Sequence, residues 1–196
     1  MALGTRRARA SALLTLALPG GAYVYQGEEL GLPNVDDLPD EVLQDPVFAR
    51  TKGETRGRDG CRVPLPWEGT EPPYGFSPAG AGAQPWLPQP SDWAGLSAET
   101  QTSDPDSTLA LHRAALRLRH ETPGLQSEDF GWRESGEGVL DFGRGPDFRC
   151  LVNLSGQPVA TGEGWVPLLT SAPLSDGALP HDAAAWLGRG GTSERT

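Results

Sequence analysis

Long apolar runs, blocks of positive charge and clustered cysteines are all missing from this chain of 196 residues, and each absence removes a class of function. No run approaches the ~20 consecutive apolar residues of a membrane-spanning helix, so no membrane partner is expected. Lys and Arg number 16 against 26 Asp and Glu, a formal charge of −10. With no basic stretch to neutralise phosphates, nucleic acid is not an expected partner either. Cys61 and Cys150 stand in unrelated contexts, without metal-ligand spacing. No calcium-loop arrangement of Asp residues is present, so neither a metal nor another cofactor is expected. Two isolated cysteines read as reduced thiols of a cytoplasmic protein in preference to a disulfide.

What is abundant is glycine and proline, 26 and 19 residues, while the hydrophobic fraction is only 37%. That balance is compatible with disorder. Against disorder stand six Trp spread along the chain with other aromatics, which demand packed or ligand-facing surfaces. The expectation is an ordered, loop-rich protein with a modest core.

The N-terminus has two readings. Arg6, Arg7 and Arg9 before the apolar stretch Ala10 to Leu18, with Gly20, Gly21 and Ala22 behind it, have the outline of a secretory signal over residues 1–22. The same residues also read as a helix from Thr5 to Leu18 stopped by Pro19, then a short strand Ala22 to Tyr25 covered on both faces. Between Pro33 and Asp104 no period is sustained, and such a stretch needs small elements of its own. One helical turn is expected within Glu41 to Arg50, and Gly80-Ala81-Gly82-Ala83 is expected to be the loosest part. A second helix is marked by Asp104 as cap, Pro105 at its first position, and an apolar face of Leu109, Leu111, Ala115, Leu116 and Leu118. Beyond Leu125 short strands are expected at Val139 to Phe142, Phe148 to Leu154 (half-buried by its alternation), Pro158 to Thr161, Val166 to Thr170 and Ala184 to Leu187.

Two blocks are more specific. Tyr25-Gln26-Gly27-Glu28-Glu29-Leu30-Gly31 is followed by Gly57-Arg58-Asp59-Gly60-Cys61-Arg62-Val63-Pro64-Leu65-Pro66-Trp67. Together with Trp86-Leu87-Pro88, Trp93, the Asp104-Pro105 helix start and Leu151-Val152-Asn153-Leu154, these resemble the last third of α-glucosidases of the α-amylase superfamily. The resemblance runs over roughly residues 5–188.

It implies an α+β fragment: the last strand and helices of a (β/α)8 barrel over residues 1–124, an antiparallel β domain over 125–188, and a frayed tail over 189–196. A whole barrel takes about 250 residues. Enzymes of this kind are retaining, with a nucleophile and an acid/base about 5–5.5 Å apart. In the family these carboxylates precede the helix that opens this sequence. The resemblance therefore implies no catalytic residue here, a missing N-terminal barrel segment as partner, and an oligosaccharide substrate only in the intact enzyme. A non-catalytic β-rich binding module, secreted if residues 1–22 are a signal, is the alternative.

By the same resemblance an arginine of the Arg-Asp-Gly block reaches the terminal glucose. Arg58 is the first candidate, because a guanidinium offers rigidly directed donors. Arg62 is the second, although an ion pair with Asp59 that holds the loop is its other reading. Gln26, Glu28, Glu29 and Asp59 are expected to support the strand end and loop. On a strand, Glu28 and Glu29 would point to opposite faces and so could not act as a pair. Trp67 and Phe76 are candidates for stacking on sugar rings, or else, with Tyr74, Trp86 and Trp93, form the loop's own core. The family usually has Thr-Pro-Met where this chain has Val63-Pro64-Leu65.

Overall fold

The computed structural model describes residues 2–78, 80–81 and 84–190. Its contacts divide the chain into two units. One comprises the residues up to Val24 together with those from Leu111 onward, and the other is Tyr25–Ala110.

The first unit is a helix-backed antiparallel sheet. Helix α1 (Leu3–Ala17) opens it, and α4 (Thr108–Glu121) contributes its residues from Leu111 onward. The short α5 (Pro123–Gln126) follows. Seven strands come next: β1 (Phe130–Trp132), β2 (Val139–Arg144), β3 (Phe148–Asn153), β4 (Val159–Ala160), β5 (Trp165–Thr170), β6 (Ala178–Leu179) and β7 (Ala183–Arg189). Five of them form a sheet in the order β1-β2-β3-β7-β5, and β4 pairs with β6 separately.

Register fixes which residues share a face. Phe142 lies opposite Cys150, and Cys150 opposite Trp186. That face packs with Ala10, Leu13 and Leu16 of α1 and Leu111 and Ala115 of α4 into one core. The Trp186 indole N–H donates to the Leu13 carbonyl oxygen at 2.9 Å, so a large buried ring arrives with its one polar group satisfied. On the opposite face Leu151, Ala185 and Leu187 pack with Leu179 and Ala183. The strand at Phe148 to Asn153 is therefore covered on both sides, where its alternation predicted a half-buried one. The β4–β6 segment supplies the second cover, which is not visible in a strand's own pattern. Pro167 sits in β5, an edge strand of the sheet, where its lack of an N–H is tolerated.

In the second unit, 3-10 turns lie at Asp40–Val42, Asp59–Cys61 and Trp93–Leu96. Between and after them come the helices α2 (Pro46–Arg50) and α3 (Ala98–Thr102). The long connection thus carries its own elements, and its own core of Leu38, Val63, Tyr74, Leu87 and Trp93.

Several expectations are corrected. Residues 22–25 form no strand, and Tyr23 is 91% exposed; strand structure requires a hydrogen-bonded neighbour, and among the described residues none is paired with this segment. Gln26, Glu28 and Glu29 accordingly lie in turns, not at a strand end. Helix α4 starts at Thr108, not after Asp104: the Ser107 hydroxyl accepts from the Ala110 N–H at 3.0 Å, while the Asp104 carboxylate is taken by the Asp106 N–H. Arg189, expected as the first residue of a frayed tail, still belongs to β7. Residues 191–196, with Gly82 and Ala83 of the expected loose segment, lie outside the described residues. Among the described residues no helix is long and apolar enough to cross a membrane.

Candidate functional site

The two motif blocks meet inside the second unit. Tyr25, Gln26, Gly27 and Glu28 of the first block and Gly60, Cys61 and Val63 of the second line one cavity of about 180 Å³, together with Leu32, Asn34 and Trp93. The first block is held by its own carboxylates. The Glu28 carboxylate accepts from the Tyr25 N–H at 3.2 Å and the Glu29 carboxylate from the Gly27 N–H at 2.8 Å. Gln101 secures the end of the first block, its amide donating to the Leu30 carbonyl at 2.8 Å and its amide oxygen accepting from the Leu109 N–H at 3.1 Å.

The second block hangs on two carboxylates. Asp59 is buried, and one oxygen accepts from the Gln44 and Asp45 N–H groups at 2.5 and 2.7 Å. Asp45 is buried as well and caps α2 by accepting from the Val47 N–H at 3.1 Å, with Pro46 behind it at the first helical position. Its other oxygen accepts from the Arg58 N–H at 3.2 Å, from Arg58 Nε at 3.3 Å and from Arg62 Nη1 at 3.1 Å. The Val47 N–H, against opposing burial and joined by Arg58 and Arg62, holds the Asp45 carboxyl below its ordinary range. Arg62 reaches Asp59 also, at 3.5 Å.

Backbone geometry makes this knot specific to glycine. Gly57 has φ +79°, and a Cβ there would fall 2.6 Å from the Asp45 Cβ. At Gly60 an added Cβ would fall 2.5 Å from the Val35 carbonyl oxygen, which is why the Gly-Arg-Asp-Gly spacing tolerates no side chain at either end.

The two arginines differ in what remains free. Arg58 has 74% of its side chain exposed and its guanidinium touches Asp45 only through Nε, whereas Arg62 is 35% exposed and engaged by two carboxylates. Glu28, Glu29, Asp45 and Asp59 each accept from backbone N–H groups, and Asp45 and Asp59 together hold the Arg62 cation in place. A second cavity, of about 390 Å³, is lined by Gln44, Asp59, Arg62, Pro64, Phe76, Trp86 and Leu87. Of the candidate stacking residues, Phe76 lines it and is half exposed. Trp67 is half exposed too, with its N–H donated to the Tyr74 carbonyl. Tyr74 and Trp93 belong to the loop core, and Trp86, at 71%, is the most exposed of these five rings. Among the described residues no group of three or more His, Cys, Asp or Glu could hold a metal ion.

Sequence reasoning missed Asp45 and Gln101. The Asp45-Pro46 pair ahead of a helical turn is a capping signal, but its second duty, clamping two arginines 13 and 17 positions on, leaves no local mark.

The "Alpha amylase, catalytic domain" profile matches residues 2–128. The chain belongs to the alpha-amylase family. It is 35% identical over 170 residues to a probable alpha-glucosidase of Rhizobium meliloti, covering 85% of this chain and 29% of that protein. It is 33% identical over 141 residues to the oligo-1,6-glucosidase IMA3 of Saccharomyces cerevisiae, covering 60% and 24%. The chain thus spans less than a third of the length of these relatives. Among solved structures it is similar to the alpha-glucosyl transfer enzyme XgtA, with 31% identity and a TM-score of 0.75 over 94% of this chain and 36% of that one. The trehalulose synthase MutB of Pseudomonas mesoacidophila MX-45, at 23% identity and TM-score 0.74 over 93% and 38%, shares the fold.

Proposed function

We propose that this chain is the C-terminal part of an alpha-glucosidase acting on α-linked gluco-oligosaccharides of the maltose or isomaltose type. In that reading it supplies the end of the catalytic barrel and the β domain, presents Arg58 to the terminal glucose, and is inactive by itself. The observation that carries the proposal is the convergence of the Tyr25–Gly31 and Gly57–Trp67 blocks on one cavity, with the exposed Arg58 guanidinium, anchored to Asp45, two residues before the lining residue Gly60. Such a group is built to bind polar ligand atoms: it stays charged and directs its donors in a plane. The carboxylates of the knot are committed to backbone N–H groups and arginines, so cleavage needs a nucleophile and an acid/base from outside it. The exposed residues Ala22 to Tyr25 fit the place of a barrel strand whose neighbours lie in another segment.

Two readouts test this. The pure chain should release no glucose from maltose, isomaltose or p-nitrophenyl α-glucoside; turnover by the chain alone would refute its inactivity. Mixed with the preceding barrel portion of the Rhizobium meliloti relative, it should restore turnover that Arg58→Ala then lowers through KM more than kcat. Restored turnover indifferent to Arg58→Ala would refute the role of that residue. The 31% identity to a glucosyl transfer enzyme supports transfer as a second reading, which product analysis of the restored mixture separates: glucose alone marks hydrolysis and longer oligosaccharides mark transfer.

A further inference from the structure

Within the first unit two arginines share one cavity, and among the described residues neither forms an ion pair with a carboxylate. The cavity has a volume of about 270 Å³, and Gly20, Arg119, His120, Gln126, Glu128 and Arg144 are among its lining residues. Both guanidiniums turn toward the C-terminal end of α1. Arg119 donates to the carbonyl oxygens of Leu16, Leu18 and Gly20, and Arg144 to those of Ala17 and Ser127.

Carbonyl dipoles at a helix end carry about half a unit of negative charge, which offsets only part of two full positive charges. Arg144 is just 4% exposed and its Nε has no hydrogen-bond partner. Among the described residues neither arginine makes an ion pair with a carboxylate. Burial first, and then the like charge of Arg119, push the Arg144 guanidinium below its ordinary range. A buried cation without a counter-charge is costly, and here Arg144 borders an open volume beside the half-buried Arg119. Each guanidinium has five N–H donors, of which the carbonyls take three on Arg119 and two on Arg144.

We infer that this cavity binds a small phosphate-type oxyanion, held between Arg119 and Arg144 with Gln126 at its rim. Such an anion offers several acceptor oxygens to donors arriving from two side chains, and charge-assisted bonds of this kind are the stronger ones. Glu128, on the cavity wall, opposes the anion by like charge.

The test is calorimetric titration of the full chain with inorganic phosphate, at ionic strength held constant with chloride. Saturable binding is expected. Glu128→Gln should tighten it, and Gln126→Glu should weaken it, each by roughly 2- to 5-fold as rim charges do; Arg119→Gln should abolish it. Because Arg119→Gln also removes three bonds to the end of α1, the decision rests on the two rim variants, which leave those bonds in place. No saturable heat, or an affinity indifferent to both rim variants, would overturn the inference.

Discussion

The Gly-Arg-Asp-Gly knot makes a quantitative demand on stability that can be separated from its demand on backbone conformation. Gly57 and Gly69 both have positive φ, +79° and +84°, but a Cβ at Gly57 would fall 2.6 Å from the Asp45 Cβ and 2.8 Å from a Val47 methyl, while at Gly69 nothing lies within 4 Å. A left-handed alanine costs roughly 1–2 kcal/mol, and overpacking a filled site adds about 1–3 kcal/mol. Gly69→Ala should therefore lose only the first amount, and Gly57→Ala about 2–5 kcal/mol. The larger loss arises because the clash pushes on the Asp45 side chain that clamps Arg58 and Arg62. Gly95, whose added Cβ meets nothing, serves as the neutral control.

Urea unfolding followed by tryptophan fluorescence reads these values from the midpoint at unchanged slope. With a slope of about 2 kcal/mol/M, the middle of the usual range, Gly57→Ala should unfold roughly 1–2.5 M earlier than the parent. If its midpoint is no lower than that of Gly69→Ala, the knot is not the rigid scaffold described above.

Other outcomes follow from the first unit and from the thiols. The Asp182 carboxyl is held well below its ordinary range by Arg7 first, then by His181 and Arg6, against opposing burial. Its contribution is thus fully present above the unfolded value of about 3.9 and is lost as pH falls below it. Asp182→Asn should melt lower than the parent at pH 6, with the gap closing below about pH 3.9; a constant gap down to pH 2 would refute this. Trp186→Ala, which empties the centre of the sheet core and removes the bond to Leu13, should cost about 3–5 kcal/mol in urea unfolding. Cys61 is exposed, whereas Cys150 is buried and its thiol is pushed up by burial and by Asp141. A thiol-reactive dye should label one site quickly in the native chain and two in urea.

Much of the first unit was legible because its signals are local. The Ala/Leu-rich run ended by Pro19 gave α1 to within two residues, and Gly and Pro turns bounded β2, β3, β5 and β7. What failed was whatever depends on a partner distant in sequence. The alternation of Phe148 to Asn153 reports a strand but not the second layer that the β4–β6 segment lays over Leu151 and Leu187. Ala22 to Tyr25 has a strand's composition, yet pairing is a property of two segments, and one segment cannot announce it. The cap of α4 failed for a different reason: Asp104-Pro105 and Ser107 are both legal starts, and Ser107 prevails because the Asp104 carboxylate turns to the Asp106 N–H.

For the candidate site, residue type located the arginines, and geometry then separated them. Nothing in the spacing of Arg58 and Arg62 says which is spent on the scaffold; that follows from Asp45 and Asp59, which flank Arg62 on one side and leave most of Arg58 in solvent. Division of labour of this sort is physically economical. In the role proposed for Arg58 a guanidinium must be positioned yet keep donors free; Arg62 neutralises the buried acids, while the Arg58 guanidinium leans on the same anchor through Nε alone. Exchanging Arg62 should therefore act mainly on the stability of the loop, and exchanging Arg58, whose mostly exposed side chain has one contact to Asp45, mainly on the ligand.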